Sequence, residues 1–305
     1  MIVVLEIQIK DMDVEELSEE AGSLVANEDD QISLVKYNHL LNDTVANILA
    51  EVLEENPLPF QLADFQKLAI HAIGSLQNVV LVSPTGSGKM LVAYLSILVL
   101  QKKLGISSGV GIGCQPLSSI MNEKLKTSFL STGTISMQGD LKSNTEFESE
   151  EDDQVSLSTS IEEFQDGRIS CMIGHAESWA SNTATTILDS LQEKGLILLT
   201  FVDEAHVPLK AHWDTFRHKM KQIPGQLRGK AVRGAPCLAM TATLTQQEIP
   251  ELMETLGLRP SNTVLLQANP ILSNHKYVRW VKGGVYVEAG YGILSPISRF
   301  FVQMT

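Results

Sequence analysis

The chain has 305 residues, of which 44% are apolar and 19% charged, enough apolar content to fill a large core and to exclude disorder throughout. Its net charge of −13 is local: residues 1–60 hold 14 acidic and 2 basic side chains, residues 146–166 hold nine acidic and none basic, and the remainder balances at +8. Cys114, Cys171 and Cys237 are too few and too scattered for a disulfide framework or a zinc knuckle, which implies a reducing, intracellular compartment. The longest apolar run, residues 90–100, falls short of the roughly 20 residues of a membrane span, and the N-terminus lacks the basic leader of a secretory signal, so no membrane partner is expected.

Residues 1–35 are acidic and weakly periodic and read as a loosely ordered leader, a contact for a protein partner or a cover for a basic surface. Between Asn42 and Glu55, Val45, Ile48, Leu49, Val52 and Leu53 recur at helical spacing until Pro57, and a second helix is expected at about Ala63 to Ile73. A regular alternation follows: strand 78–82, a helix from Lys89, strand 109–115 and a helix near Ser118 to Lys126. The acidic block, centred on residues 146–154, reads as a solvated insertion loop near 144–166. Strand 169–174, a helix ending near Gly195, strand 196–204, a basic helical stretch, strand 235–243, a helix capped by Thr245 and Glu248, and strand 262–267 complete the pattern. Near-continuous apolar strands alternating with helices indicate an α/β fold of three layers, with a mainly parallel sheet covered by helices on both faces. The domain spans 36–268, and 269–305 reads as an irregular tail or the start of another lobe.

Two segments carry chemistry. Between the first strand and its helix runs Ser83-Pro84-Thr85-Gly86-Ser87-Gly88-Lys89-Met90. Glycines there let backbone amides turn inward around phosphate oxygens, the helix N-terminus adds partial positive charge, and Lys89 reaches the outer phosphates. The residue after such a lysine is normally Ser or Thr, whose hydroxyl ligates magnesium; Met90 offers a soft thioether instead. The second segment, Asp203-Glu204-Ala205-His206, ends an apolar strand, on the edge where open α/β sheets bind ligands. An aspartate there can hold a metal and the adjacent glutamate can orient or deprotonate a water.

With these segments the sequence resembles the first RecA-like lobe, a P-loop NTPase domain, of superfamily 2 helicases with a DEAH box signature, and most closely the RecQ-like DNA helicases. The resemblance covers about Pro59 to Gln267. It implies ATP and Mg2+ as cofactors, with Mg2+ binding weakened by Met90, and places Thr85, Gly86, Ser87, Gly88, Lys89 and Met90 at the phosphates, Gln66 at adenine, Asp203 at the metal, and Lys89, Asp203, Glu204 and His206 as catalytic residues. The arginine usual just before the glutamine is here Ala63.

The resemblance further implies single-stranded or duplex DNA as partner and, by family alone, a nuclear location. Pro116 and Leu117, in the segment after the second strand, resemble an element that touches the nucleic-acid backbone, as does Glu177 in Gly174-His175-Ala176-Glu177-Ser178; an ordinary strand-to-helix turn explains the first equally well. Thr241 and Thr243 resemble the element that links nucleotide state to strand binding, though hydroxyls ending a buried strand can also be satisfied locally. Trp213, Phe216 and Arg217 occupy the place of an aromatic-rich loop that stacks on bases, or else form an amphipathic helix. Lys219, Lys221, Arg228, Lys230 and Arg233 suit a phosphate backbone or a solvated basic face.

After Gln267 only 38 residues remain, fewer than the roughly 100 residues of a second lobe, and no Gly-Arg-x-Gly-Arg segment occurs. Such an arginine is worth about 10³ to 10⁵ in rate in related phosphoryl-transfer sites. Strand separation by this chain alone is therefore not expected, and three readings stand: the N-terminal lobe of a RecQ-like helicase, a catalytically silent nucleotide- or DNA-binding interaction module, and an incomplete gene product.

Overall fold

The computed structural model describes residues 3–7, 43–115, 130–137, 155–209, 222–268, 277–281 and 285–289. In chain order the strands are β1 (Val3–Ile7), β2 (Asn78–Val82), β3 (Val110–Gln115), β4 (Thr132–Met137), β5 (Val155–Leu157), β6 (Cys171–His175), β7 (Ile197–Val202), β8 (Cys237–Thr241), β9 (Thr263–Ala268), β10 (Tyr277–Val281) and β11 (Val285–Ala289). The α-helices are α1 (Asp43–Glu55), α2 (Asp64–Gly74), α3 (Lys89–Leu104), α4 (Ile161–Gln165), α5 (Ala176–Trp179), α6 (Asn182–Glu193), α7 (Ile223–Lys230) and α8 (Ile249–Thr255).

Nine strands form one sheet in the order β1-β9-β2-β8-β7-β3-β6-β4-β5. Eight run parallel, and β5 closes the edge antiparallel to β4. Successive residues of a strand point to opposite faces, and this alternation divides the core. Val79 and Leu81 of β2, with Leu238 and Met240 of β8, pack under α1, α2 and α3. Val80 and Val82, with Cys237 and Ala239, face α4 to α8. The result is the three-layer α/β arrangement expected from the sequence, with both faces of the sheet covered.

Two details lock the layers. Asn78, 1% exposed, accepts the Cys237 N–H at 3.0 Å and donates to the Asn262 carbonyl at 3.1 Å, fastening the amino ends of β2, β8 and β9. In β3 the glycines make room for neighbours: a Cβ on Gly113 would lie 2.1 Å from the Phe201 ring. The three cysteines are buried and form no disulfide with one another. Burial, with the Glu177 charge second, pushes the Cys114 thiol up, and burial raises that of Cys237 against a smaller opposing effect of Arg228.

The structure departs from the sequence reading in four places. Residues 3–7, assigned to the loose leader, form an edge strand parallel to β9 with Val3 opposite Val264; that partner is some 260 residues away in the chain, beyond any local pattern. The acidic insertion near 144–166 contains β5 and α4. Phe164 is fully buried there, Ser160 accepts the Glu163 N–H, and Glu162 and Glu163 sit in the first turn, where the helix dipole favours them. β4 went unassigned and pairs in parallel with β6. The tail after 268 holds the antiparallel hairpin of β10 and β11, which belongs to a second unit of the chain. The expected helix near 118–126, residues 146–154 and Lys219 and Lys221 lie outside the described residues.

Thr245 and Glu248 make half of the expected capping arrangement. The Glu248 carboxylate accepts the Thr245 N–H at 2.8 Å and its hydroxyl at 2.9 Å, and the helix starts one residue later, with Pro250 in its first turn.

Gly113→Ala should lower the stability to unfolding by about 1–3 kcal/mol, as overpacked cores do. Phe201→Leu in the same chain should recover part of that loss, read as the shift in denaturant midpoint.

Candidate nucleotide site

The strand order places the two chemistry-bearing turns one strand apart. The phosphate loop leaves β2, the acidic turn leaves β7, and β8 lies between them with both as hydrogen-bonded neighbours. All three are parallel, so both turns emerge at the same carboxyl edge of the sheet, where open α/β sheets bind ligands.

Within the loop, Gly86 and Gly88 both have φ of +81°, a conformation that costs a side chain energy. At Gly88 space is limiting too, since a Cβ would come within 2.6 Å of the Gln66 Nε2. Thr85 and Gly86 form the exposed crest, and the Ser83 and Ser87 hydroxyls lie 2.9 Å apart beneath it. The Lys89 ammonium donates to the Ser83 carbonyl at 2.8 Å and the Pro84 carbonyl at 2.9 Å. It starts α3, a helix of 16 residues whose first turn carries no acid, so the loop faces an uncompensated positive dipole end.

Gln66 is 5% exposed and lies against this loop. Its Oε1 accepts the Ala63 N–H at 2.9 Å, capping its own helix. Its Nε2 donates to the Ser87 carbonyl at 3.1 Å and the Gly88 carbonyl at 3.3 Å. A cavity of about 430 Å3 opens between Gln66, the glycines, Phe60, Met90 and Tyr94. Phe60, 56% exposed, is a lining residue that the sequence reading passed over; an aromatic side chain just ahead of a helix start and a buried glutamine was the available signal.

On the acidic turn, Asp203 is 7% exposed. Its Oδ1 accepts the Glu204 N–H at 3.1 Å, and its own N–H donates to the Cys114 carbonyl at 3.0 Å. Glu204 adopts φ of +50°, a left-handed conformation unusual for a non-glycine residue. Its carboxylate lies 3.3 Å from the His206 Nδ1. The same nitrogen is 2.8 Å from the Thr241 hydroxyl. That hydroxyl donates to the Thr243 carbonyl at 3.0 Å and accepts the Thr243 N–H; its proton being committed, the histidine nitrogen carries the hydrogen and donates. Thr241 therefore links the acidic turn to β8, whose own carbonyl accepts the Ser83 N–H of the phosphate loop at 3.0 Å. The exposed Thr243 stands beyond it.

Glu177 is half-buried at the start of α5, next to β6 on the same sheet edge. Pro116, Leu117, Trp213, Phe216 and Arg217 lie outside the described residues. Arg228 and Lys230 end α7, where they and the exposed Arg233 line a cavity with Asn262 and Gly195, at the amino edge of the sheet and away from the phosphate loop. Gln115, next to Pro116 in the segment that resembles a backbone-contacting element, is described. It ends β3, is 1% exposed, and leaves its Oε1 without a hydrogen-bond partner.

A magnesium ion held with a nucleotide needs few protein ligands. Among the described residues no group of three or more His, Cys, Asp or Glu could hold a metal by itself, but a nearly buried carboxylate at Asp203 is a hard oxygen donor of the right kind. Met90 is not. Among the described residues no helix is long and apolar enough to cross a membrane.

The sequence profile of the DEAD/DEAH box helicase family matches residues 63–252, which include Gln66, the phosphate loop, the acidic turn and Thr241. No curated protein matches the chain. Solved structures with a similar fold include the Pyrococcus furiosus Hef helicase domain, at 15% identity over 67% of this chain and 37% of that one with a TM-score of 0.40. The DUF1998 helicase MrfA bound to DNA is similar at 17% identity over 75% and 30%, TM-score 0.48. A hypothetical ATP-dependent RNA helicase from Sulfolobus tokodaii is similar at 13% identity over 75% and 57%, TM-score 0.43. The chain thus spans between 30% and 57% of these three proteins where the three differ most. With a matching profile over most of a three-layer parallel sheet, the chain belongs to the DEAD/DEAH box helicase family, as a RecA-like lobe of superfamily 2 with that domain's nucleotide-binding function.

Proposed function

We propose that this chain is the ATP-binding lobe of a RecQ-like, ATP-dependent DNA helicase, which takes up ATP and single-stranded DNA while strand separation falls to a longer assembly. The observation that carries the reading is the placement of the phosphate loop and the acidic turn on neighbouring strands of β8, both tied to that strand's backbone. In this reading the amides of Gly86 to Lys89 cradle phosphate oxygens, and the Lys89 ammonium exchanges its two loop carbonyls for the outer phosphates. Asp203 would hold magnesium, which supplies charge neutralisation at the phosphates when bound. Glu204 orients the attacking water, and His206 reports its position through Thr241. Adenine recognition by Gln66 costs one of the hydrogen bonds that now hold the loop, so base binding and loop position are coupled. Glu177, Thr241 and Thr243 share the edge on which a DNA strand would lie, and the acidic leader serves a protein partner.

Met90 favours a second reading, a catalytically silent nucleotide-binding module, because a thioether replaces a magnesium ligand. DNA-stimulated ATPase separates the two. Supplied with a second lobe, the chain should hydrolyse ATP, Met90→Ser should raise the rate, and Glu204→Gln should abolish it. No hydrolysis from Met90→Ser under those conditions would leave the silent module standing.

Lys89→Ala should weaken binding of a fluorescent ADP by tenfold or more, about the worth of a charge-assisted contact; unchanged affinity would refute the phosphate-loop assignment. Gln66→Leu should speed hydrogen exchange at the amides of Ser87 to Lys89 while leaving the exchange of β2 and β8 unaltered, since the lost hydrogen bonds hold the loop and not the sheet.

A further inference from the structure

Both hydrogens that Gln66 could offer a base are already in use. Its Nε2 donates to the Ser87 and Gly88 carbonyls at 3.1 and 3.3 Å, and its Oε1 accepts the Ala63 N–H at 2.9 Å. A backbone N–H only donates and a carbonyl only accepts, so these partners fix which end of the carboxamide is oxygen and which is nitrogen. The side chain also has little room to turn: it is 5% exposed, and a Cβ on Gly88 would lie 2.6 Å from its Nε2. Adenine presents a donor, its N6 amino group, beside an acceptor, N7, and a carboxamide matches that edge only with a hydrogen to spare. Gln66 has none to spare while it holds the loop.

Gln61, earlier in the same segment, is placed differently. Residues 57–63 lead into α2 without helix or strand. Leu58 and Leu62 pack against the core on the face covered by α1, α2 and α3, and between these two anchors Phe60 and Gln61 are exposed. Both line the cavity of about 430 Å3 that opens beside Gly86 and Gly88. With phosphates on the loop, this is the adjoining space for ribose and base, and the Phe60 ring offers a flat face for stacking. Among the described residues that line the cavity, Gln61 is the one exposed polar side chain. Its carboxamide makes no hydrogen bond to the described residues, so it keeps both a donor and an acceptor. Ala63, on the same wall, adds only a methyl group.

We propose that Gln61 reads the edge of adenine, donating to N7 and accepting from the N6 amino group, while Gln66 keeps its bonds and braces the phosphate loop. The inference rests on the nucleotide-site reading above and assigns the base contact within it. This arrangement spares the loop bond that base reading by Gln66 would break. Because Gln61 is exposed, water competes for both contacts, and each is worth a modest factor in affinity, about fivefold.

The test is competition binding to the whole chain, in which ADP, 7-deaza-ADP and IDP displace a fluorescent ADP, with far-UV circular dichroism confirming that each variant is folded. 7-Deaza-ADP has a C–H in place of N7, and IDP has a carbonyl in place of the N6 amino group. Wild type should bind each analogue about fivefold more weakly than ADP. Gln61→Ala should bind all three alike, at the level of the analogues or below. Gln61→Glu, whose carboxylate accepts but cannot donate, should keep the preference over IDP and lose that over 7-deaza-ADP. Gln66→Leu should weaken all three by one common factor and leave both preferences in place. Loss of the preferences in Gln66→Leu, or their survival in Gln61→Ala, overturns the inference and leaves the nucleotide site standing. So does a wild type that binds the three alike. If wild type binds ADP no better than Lys89→Ala does, the site and the inference fall together.

Discussion

Two backbone hydrogen bonds to β8 set the distance across the site. The Ser83 N–H at the start of the phosphate loop binds the Thr241 carbonyl, and the Ala205 N–H of the acidic turn binds the carbonyl of the preceding residue, Met240. Because β8 is central and buried throughout, both bonds sit in a low-dielectric environment where they hold well and are costly to break. The opposite end of the same strands is fastened by Asn78, so β2 and β8 are pinned at both ends and their loops have little freedom to drift apart.

On that frame each turn carries some conformational cost. Glu204 sits in the left-handed region, and Gly86 and Gly88 occupy φ values that favour glycine. The surrounding bonds determine these shapes: Asp203 accepts the Glu204 N–H, His206 reaches Thr241, and Gln66 holds two loop carbonyls. These side chains are thus engaged with one another and with backbone. Both Gln66 Nε2 hydrogens are directed at loop carbonyls, while its Oε1 accepts one hydrogen bond and has room for a second.

The role of α3 follows from alternation. The helix packs on the face of the sheet that carries Leu81, Gly113 and Phe201, and its first residues come down over the carboxyl ends of β3 and β7. A substitution at position 90 is therefore felt at Gln115, 25 residues on.

The lobe was legible in the sequence wherever its signals were local. Apolar runs marked β2 to the residue, β3 to within one and β7 and β8 to within two at each end, and the glycines before Lys89 and the acids after Val202 marked the two turns, because backbone conformation and phosphate chemistry both act over a few residues. The edges were not legible. β1 depends on a partner near the other end of the chain, and α4 is anchored by a single buried phenylalanine in an acidic stretch whose composition reads as solvated. Sequence alone determined which segments could hold phosphate and carry carboxylates; only the tertiary structure decided that they stand on either side of one strand, because parallel pairing is a property of the whole sheet and is written in no segment of it.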